Sequence, residues 1–508
     1  MIDEPLEVPI SRLCFKNFKA FREAVVDLAP ITVITGVNSS GKTTILQGLL
    51  LARNTLATRN ISQIRTPLIF DQKPLKFTEF EEMVFGLSYS GKNGGDDNWR
   101  EIALGYDWKF RIWSESIRNY FDTPEETWFP LKIGFETHFG RQSREQQVSI
   151  RSVNLYATPM IGFQTDDTLS LLFEPESNGL WKITYQFRQR RIQTEQFVEF
   201  DHFLPNLESF HRPMRNVGGG EDTIYNAYKI IFGMALMEFR NFLTQELHYV
   251  GPLRSAPEPS VIQQQIEGLD VGEAGEKTIQ LLFESLEDKP KVKFVRLPKV
   301  LGDFNLTDLS VSDIDLQTAL SDALRLMGIE QRLRITKQGI SYQAKVSLHK
   351  QRRIYVPLTD AGFGISQVLP IVAVCLLSKP GDMVLLEQPE IHLHPRAQAG
   401  LADLLLCTAL SGKQVIVETH SDHLINRMRR RLAEYGQEDN SNDQSDLVRI
   451  VFVSPPKEKG EGARVDNALI TREGNITNWP PGFLAESATE ARAILRAQTA
   501  KKTGSGEK

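Results

Sequence analysis

The sequence predicts an α/β fold built on a parallel sheet that carries a phosphate-binding loop. Three observations predict it. Residues 31–35, "ITVIT", read as a buried strand and lead into a glycine loop and an apolar-striped helix. Residues 383–387 and 414–418 are short apolar runs ending in acids, joined by a helical stretch, the signature of a parallel strand–helix–strand unit. More than three hundred residues of mixed strand-like and helical runs separate the first strand from that unit.

Bulk properties narrow the class. The 508 residues are 41% hydrophobic and 24% charged, ordinary for a globular chain. No apolar run is long enough to cross a bilayer, and "MIDEPLEVPI" lacks the basic-then-apolar layout of a signal peptide. Cys14, Cys375 and Cys407 form neither a close pair nor a metal spacing, which suits a reducing cytoplasm. The net charge of −5 argues against general nucleic-acid binding, so DNA contact would need local patches. Three patches stand out, "RQRR" at 188–191, "HKQRR" at 349–353 and "RMRRR" at 427–431, each of which also reads as a solvated face.

After the first strand comes Gly36-x-x-x-x-Gly41-Lys42-Thr43, a complete P-loop. Gly36 and Gly41 allow the backbone to bend around phosphate oxygens. The N–H groups of Asn38, Ser39, Ser40 and Thr44, and the helix N-terminus, point at the anion. Lys42 reaches the β- and γ-phosphates of ATP, and the Thr43 hydroxyl ligates Mg²⁺. Ile45, Leu46, Leu49 and Leu50 form the stripe that docks the helix on the sheet.

Further on, "LTDAGFGISQVLPIVAVCLL" places the glycine turn Gly362-Phe363-Gly364 before Ser366 and an apolar segment. Ser366 is an N-cap candidate. Pro370 belongs near a helix start, so the helix is expected to begin around Ser366. "MVLLEQPEIHLHP" then supplies Glu387, Gln388 and Glu390, with Pro395 at the first position of the next helix. "QVIVETHSDH" closes the unit with His420 at a strand end. Parallel order puts Glu387 and His420 at one carboxyl edge with the P-loop, where ligands bind in open α/β sheets. His392, His394, His420, Asp422 and His423 are also candidates for a transition-metal site.

Four segments follow: 1–110, the N-terminal half of the nucleotide-binding head; 111–344, a β-rich flank and inserted α/β subdomain, the insert running mainly over 160–340; 345–450, the C-terminal half of the head; and 451–508, a small C-terminal segment. "MRNVGGGEDT" at 214–223 reads as a loop. "QEDNSNDQSD" at 437–446 reads as a polar surface loop and "QTAKKTGSGEK" as a disordered tail.

Taken in order, these stretches resemble the ATPases of the ABC/SMC/RecF superfamily. "LCFKNFKAFREAVVDLAPITVITGVNSSGKTT" resembles the opening of SMC, RecF and OLD-type proteins. "GFGISQ" stands where they carry the ABC signature, "MVLLEQPE" resembles their Walker B strand, "IHLHP" the D-loop and "ETH" the switch histidine. Within the superfamily the chain is similar to a bacterial predicted-ATPase group with a C-terminal domain of unknown function. That group shares "EQPEIHLHP", "GPLR" (Gly251–Arg254) and a terminal pattern matched by Asp466, Gly474, Ile476, Trp479, Pro480, Gly482 and Phe483.

The resemblance implies an ABC-type (RecA-like) P-loop ATPase head with an antiparallel β flank, working as a homodimer or higher even oligomer. Two ATP molecules would be sandwiched, each between one P-loop and the partner's Gly362–Ser366 turn, with Thr43 and Glu387 holding Mg²⁺. It also suggests the Asn17–Phe21 segment for adenine and Gln72 as a magnesium-lining glutamine. Gln388 takes the place of the general base, and an amide cannot accept a proton at neutral pH, although it can orient water. Glu390 acts as the base, or turnover is slow and the chain is a timed switch, or the pair is inactive.

Two function classes compete. One is an ATP-gated regulator of a separate effector, as in the ATPase subunits of Septu-type antiphage systems, where the partner is a nuclease. The other is a RecF-like repair or chromosome-maintenance ATPase that binds DNA itself. The stretch after His420 is short for a Toprim nuclease domain, so cutting chemistry would come from a partner.

Overall fold

The computed structural model describes residues 8–58, 66–75, 77–86, 100–113, 128–141, 146–160, 168–209, 221–297, 310–348, 351–435, 447–458, 460–471 and 473–478. The loops at 437–446 and the C-terminal tail lie outside them, as do Trp479, Pro480, Gly482 and Phe483 and most of 214–223.

A hairpin of β1 (Ile10–Phe18) and β2 (Phe21–Asp27) precedes β3 (Ile31–Gly36) and α1 (Lys42–Ala57). Then come β4 (Arg100–Trp113), β5 (Trp128–Arg141), β6 (Ser149–Pro159), β7 (Leu169–Pro175), β8 (Trp181–Phe187) and β9 (Arg190–Gln196). With the hairpin these make an eight-stranded antiparallel sheet in the order β2-β1-β4-β5-β6-β7-β8-β9. Its strands alternate buried and more exposed positions, as a sheet with one face on a core requires. β7 to β9 stay in this sheet, so the antiparallel flank runs on past residue 160, where the sequence suggested the onset of the insert.

The rest of the chain adds α2 (Glu221–Asn241), β10 (Leu247–Val250), α3 (Thr278–Glu287), α4 (Leu316–Leu326), β11 (Leu333–Gln338), β12 (Ser341–Leu348) and β13 (Gln351–Pro357). α5 (Phe363–Leu377), β14 (Met383–Glu387), α6 (Pro395–Leu410), β15 (Gln414–Glu418), α7 (Asp422–Tyr435), β16 (Val448–Ser454) and β17 (Arg464–Leu469) follow. The second large sheet has the order β10-β14-β15-β3-β16-β17, and every pairing in it is parallel except β16 with β17.

This parallel sheet separates two hydrophobic cores. Side chains alternate across a strand, and the residues divide accordingly. Met383, Leu385, Ile416, Val451 and Val453 face the core shared with α1 and the flank. Val384, Leu386, Val415, Val417, Val448 and Ile450 face the core filled by α4, α5 and α6. Buried on both sides, β3, β14 and β15 are nearly continuous apolar runs, which is why they stood out in the sequence. α1 is clamped between the sheets: a side chain at Gly48 would meet the Phe15 ring at 2.3 Å, and the Tyr106 hydroxyl donates to the Gly48 carbonyl at 2.9 Å.

Two expectations are corrected. The helix expected to begin near Ser366 begins at Phe363, with Gly362 (φ 88°) as its N-cap residue and no side-chain cap. Pro370 therefore lies inside the helix. Residues 365–376 are buried, and that tertiary burial outweighs the hydrogen bond a proline cannot make. The patch "RMRRR" is largely consumed within the fold. Arg427 and Arg431 pair with buried Asp403, Arg430 pairs with Glu434, and Arg429 donates to the Gly474 carbonyl.

Candidate active site at the carboxyl edge of the parallel sheet

The P-loop leaves the end of β3 and wraps into α1. Gly36 has φ 144°, and a Cβ there would lie 2.1 Å from the Val453 carbonyl oxygen; Gly41 has φ 102°, and a Cβ there would strike Ala20 at 2.4 Å. Both positions therefore exclude a side chain. Gly41 is the helix N-cap residue and no side chain caps it, which leaves the helix N-terminus open to an anion. Asn38 and Ser39 are exposed on the loop, Ser39 at φ 60°, and Thr44 N–H donates to the Gly41 carbonyl.

Lys42 is buried and folds back, donating to the Val37 carbonyl at 2.7 Å. Burial lowers its ammonium pKa from the ordinary value, against the opposing charge of Glu418. The Thr43 hydroxyl donates to Glu418 Oε1 at 3.1 Å. Glu418 closes β15 beside Glu387, which closes β14 in parallel register. Burial, then the charge of Glu387, pushes the Glu418 carboxyl up to about 7. Burial also raises Glu387, whose Oε2 accepts from the Tyr249 hydroxyl at 2.8 Å.

Gln388 follows in a left-handed conformation (φ 44°), its N–H donating to the Glu418 carbonyl at 2.8 Å. Glu390 turns back toward β15: its Oε1 accepts from the His420 N–H at 2.7 Å. The His420 imidazole is lowered by desolvation and then by the nearby charge of Lys42. Arg254 lies buried beneath this turn, within 3.3–3.5 Å of the carbonyl oxygens of Gln388, Pro389 and Ile391, and burial lowers its guanidinium to about 10.

Six buried polar atoms at this edge have no hydrogen-bond partner: Thr35 Oγ1, Ser40 Oγ, Glu390 Oε2, Glu418 Oε2, and Nε and Nη1 of Arg254. Buried polar groups are normally satisfied; these share one edge with the P-loop, where a polar ligand would meet them. The hydroxyl and carboxylate oxygens of Thr43, Glu387 and Glu418 are hard donors of the kind Mg²⁺ selects, so the residues fit that ion. Among the described residues no three His, Cys, Asp or Glu side chains converge as a transition-metal cluster would. His394 instead caps α6, its Nδ1 accepting from the Arg396 N–H at 3.3 Å.

The sequence had flagged Thr43, Glu387, Glu390 and His420, and the fold brings them together. It had assigned no site role to Glu418, Tyr249 or Arg254, although Arg254 ends the "GPLR" segment. Gln72 stands elsewhere: its side chain accepts from Thr58, at the C-terminal end of α1, roughly 20 Å along the helix from the P-loop by helical rise. Phe18 and Phe21 are buried core residues rather than an open stacking face for a base, although Ala20 between them does abut the P-loop. Gly362 is exposed, and a Cβ there would meet nothing within 4 Å. Gly362 and Gly364 share a groove of about 350 Å³ with Leu393, His394 and Arg396. Ser366 points elsewhere, into a separate cavity with Ser255 and Pro370.

Strand β15 stands between the P-loop strand and the acidic strand β14, and all three motifs end at one edge. The fold is that of a P-loop nucleotide-binding head with an antiparallel flank. Two family models match the chain. One, "AAA domain, putative AbiEii toxin, Type IV TA system", covers residues 198–426 and so includes Arg254, Glu387, Glu390, Glu418 and His420. The other, "AAA domain", covers residues 12–81 and includes the P-loop. These matches support an ATPase of the AAA-domain kind. No curated protein matches the chain. Solved structures that align with it include an SMC head bound to the C-winged helix domain of ScpA, at 12% identity over 91% of this chain and 98% of that one, with a TM-score of 0.38. The SMC head domain from Thermotoga maritima aligns at 10% identity over 90% and 98%, with a TM-score of 0.34. An Smc head with an extended coiled coil, bound to a ScpA domain derived from Pyrococcus furiosus, aligns at 12% identity over 96% and 99%, with a TM-score of 0.35. No described helix is long and apolar enough to cross a membrane.

Proposed function

We propose that the chain is a slow ATP-hydrolysing switch whose two copies close over shared nucleotides and control a separate effector, a nuclease, in antiphage defence. The observation that carries the ATP chemistry is the meeting of Thr43 with Glu418, and of Glu390 with His420, at the mouth of an uncapped P-loop helix.

The loop N–H groups and helix N-terminus hold the β- and γ-phosphates, and Lys42 leaves the Val37 carbonyl to join them. Thr43 and Glu387 would hold Mg²⁺, which when bound would supply Lewis-acid polarisation of the phosphoryl oxygens. Gln388 orients the attacking water and Glu390 accepts its proton. The His420 N–H fixes one Glu390 oxygen, and the buried, unpartnered Oε2 is the one aimed at water. Arg254 holds the 388–391 turn in place beneath it. Exposed Gly362, at the N-terminus of α5, offers the partner's γ-phosphate a second set of N–H groups.

The test is nucleotide-dependent assembly. With a slowly hydrolysed ATP analogue and Mg²⁺, the mass measured by light scattering should double, and Gly362→Trp should block doubling while nucleotide still binds. A wild-type mass unchanged by bound nucleotide would remove the sandwich. Expressed with its gene neighbours, the wild-type chain should reduce phage plating and Lys42→Ala should not.

One observation favours the DNA-binding alternative: Arg188, Arg190 and Arg191 are exposed on the β8–β9 hairpin. If that reading holds, the isolated protein binds duplex with a steep salt dependence, and Arg190→Ala with Arg191→Ala lowers the slope by about two phosphate contacts. Salt-insensitive or absent binding removes it.

A further inference from the structure

We propose that Glu418 is a carboxylate ligand of the metal ion that accompanies the nucleotide, seated next to Thr43 in its coordination shell. This rests on the ATP reading and deepens it.

Glu418 is 1% exposed, so its charge has no bulk water to face. One oxygen, Oε1, meets only the Thr43 hydroxyl; the other, Oε2, is buried with no hydrogen-bond partner. An acid placed this way has an unfilled requirement that a cation would meet. The geometry suits one cation in particular. Oxygens bound to Mg²⁺ lie at roughly 2.0–2.1 Å in a near-ideal octahedron, which puts adjacent ligands about 2.9–3.0 Å apart. Thr43 Oγ1 and Glu418 Oε1 are 3.1 Å apart, close to one edge of that octahedron. A metal held there would take both oxygens as ligands in place of their hydrogen bond.

Glu387 is placed differently. Its Oε2 is already engaged by Tyr249, so it serves more simply through a metal-bound water. Thr43 and Glu418 would then hold the ion directly and Glu387 would act through water, leaving room for phosphate oxygens. Mg²⁺ sites usually combine one or two carboxylates with water and substrate phosphates in this manner.

The proposal predicts opposite effects of one substitution on two affinities. Glu418→Gln removes a negative charge beside Lys42, so metal-free ATP, measured with a fluorescent ATP analogue in EDTA, should bind as well as to wild type or better. Mn²⁺ in the ternary complex with a non-hydrolysable ATP analogue, followed by electron paramagnetic resonance, should bind at least tenfold more weakly. Thr43→Val should weaken Mn²⁺ similarly, and the double variant should add little, because both residues ligate one ion. Glu418→Ala should weaken Mn²⁺ at least as much as the amide; if it fails to fold, the isosteric Gln variant still decides. Unchanged Mn²⁺ affinity and spectrum in Glu418→Gln would overturn the proposal alone. Failure of the wild-type protein to bind nucleotide with or without metal would overturn the ATP reading and this proposal with it.

Discussion

In the antiparallel flank, buried Asp107 accepts from the Tyr156 hydroxyl on one oxygen, and its other oxygen makes no aligned hydrogen bond but lies 2.9 Å from the Lys132 ammonium. At the edge of the parallel sheet, Glu418 is buried as deeply, yet it meets a hydroxyl on one oxygen and nothing on the other. The contrast extends to their neighbours. Flank Glu81 takes a two-pronged guanidinium from Arg141, and Glu136 lies between Lys16 and His138. Glu387 and Glu390 have a tyrosine hydroxyl and a backbone N–H. Acids that serve a fold are matched with cations in place. The acids at the sheet edge meet neutral donors, as the proposed ligand role requires.

Substitutions can break this contrast, and the largest effect is expected at Lys42. Lys42→Ala should lower phosphate release at least 100-fold, the order expected for removing an electrostatic stabiliser of the transferred group. Glu390→Gln should cost roughly 100-fold in turnover, as removal of a general base does, with little change in thermal midpoint. A wild-type rate would return the base to Gln388-held water and the timed-switch reading. Arg254→Ala should lower turnover about tenfold and destabilise the fold by about 2 kcal/mol, since three carbonyls lose a buried donor. Turnover unchanged in a folded variant would make Arg254 purely structural.

Flank substitutions should behave in the opposite way. Asp107→Asn should destabilise by about 2 kcal/mol in chemical denaturation, through the lost Lys132 pair and the weakened Tyr156 bond, while turnover per folded chain holds.

The smallest effect is a slope. Lys413 is buried behind β15, donates to the Cys375 carbonyl at 2.6 Å and is lowered by burial to about 8. Between about 8 and 10.5 the unfolded chain holds more protons than the folded one, so this group makes stability rise with pH across that window. Lys413→Met should flatten that rise and add stability at pH 7. An unchanged slope would mean the ammonium is better served in the fold than its burial implies.

How much of this was legible in the sequence depends on how local each cause is. The P-loop was readable because spacing alone determines it, and β3, β14 and β15 because strands buried on both faces are apolar without interruption. The edge shared by Glu387 and His420 followed from strand–helix–strand order. Glu418 was passed over because in the sequence it is only the last residue of a strand; its meaning comes from register against Glu387 and from Thr43, 375 residues away. Arg254 is 134 to 137 residues from the carbonyls it serves. The start of α5 was misplaced because a serine before an apolar run looks like a cap, whereas the positive φ of Gly362 begins the helix earlier.

The most direct test of the account is a crystal structure with a non-hydrolysable ATP analogue and Mg²⁺. It should show the triphosphate wrapped by residues 36–44, Lys42 released from the Val37 carbonyl, and the γ-phosphate lying between Thr43, Glu390 and His420. Nucleotide bound at any other surface, with Glu390 Oε2 and Glu418 Oε2 still unsatisfied, would contradict it.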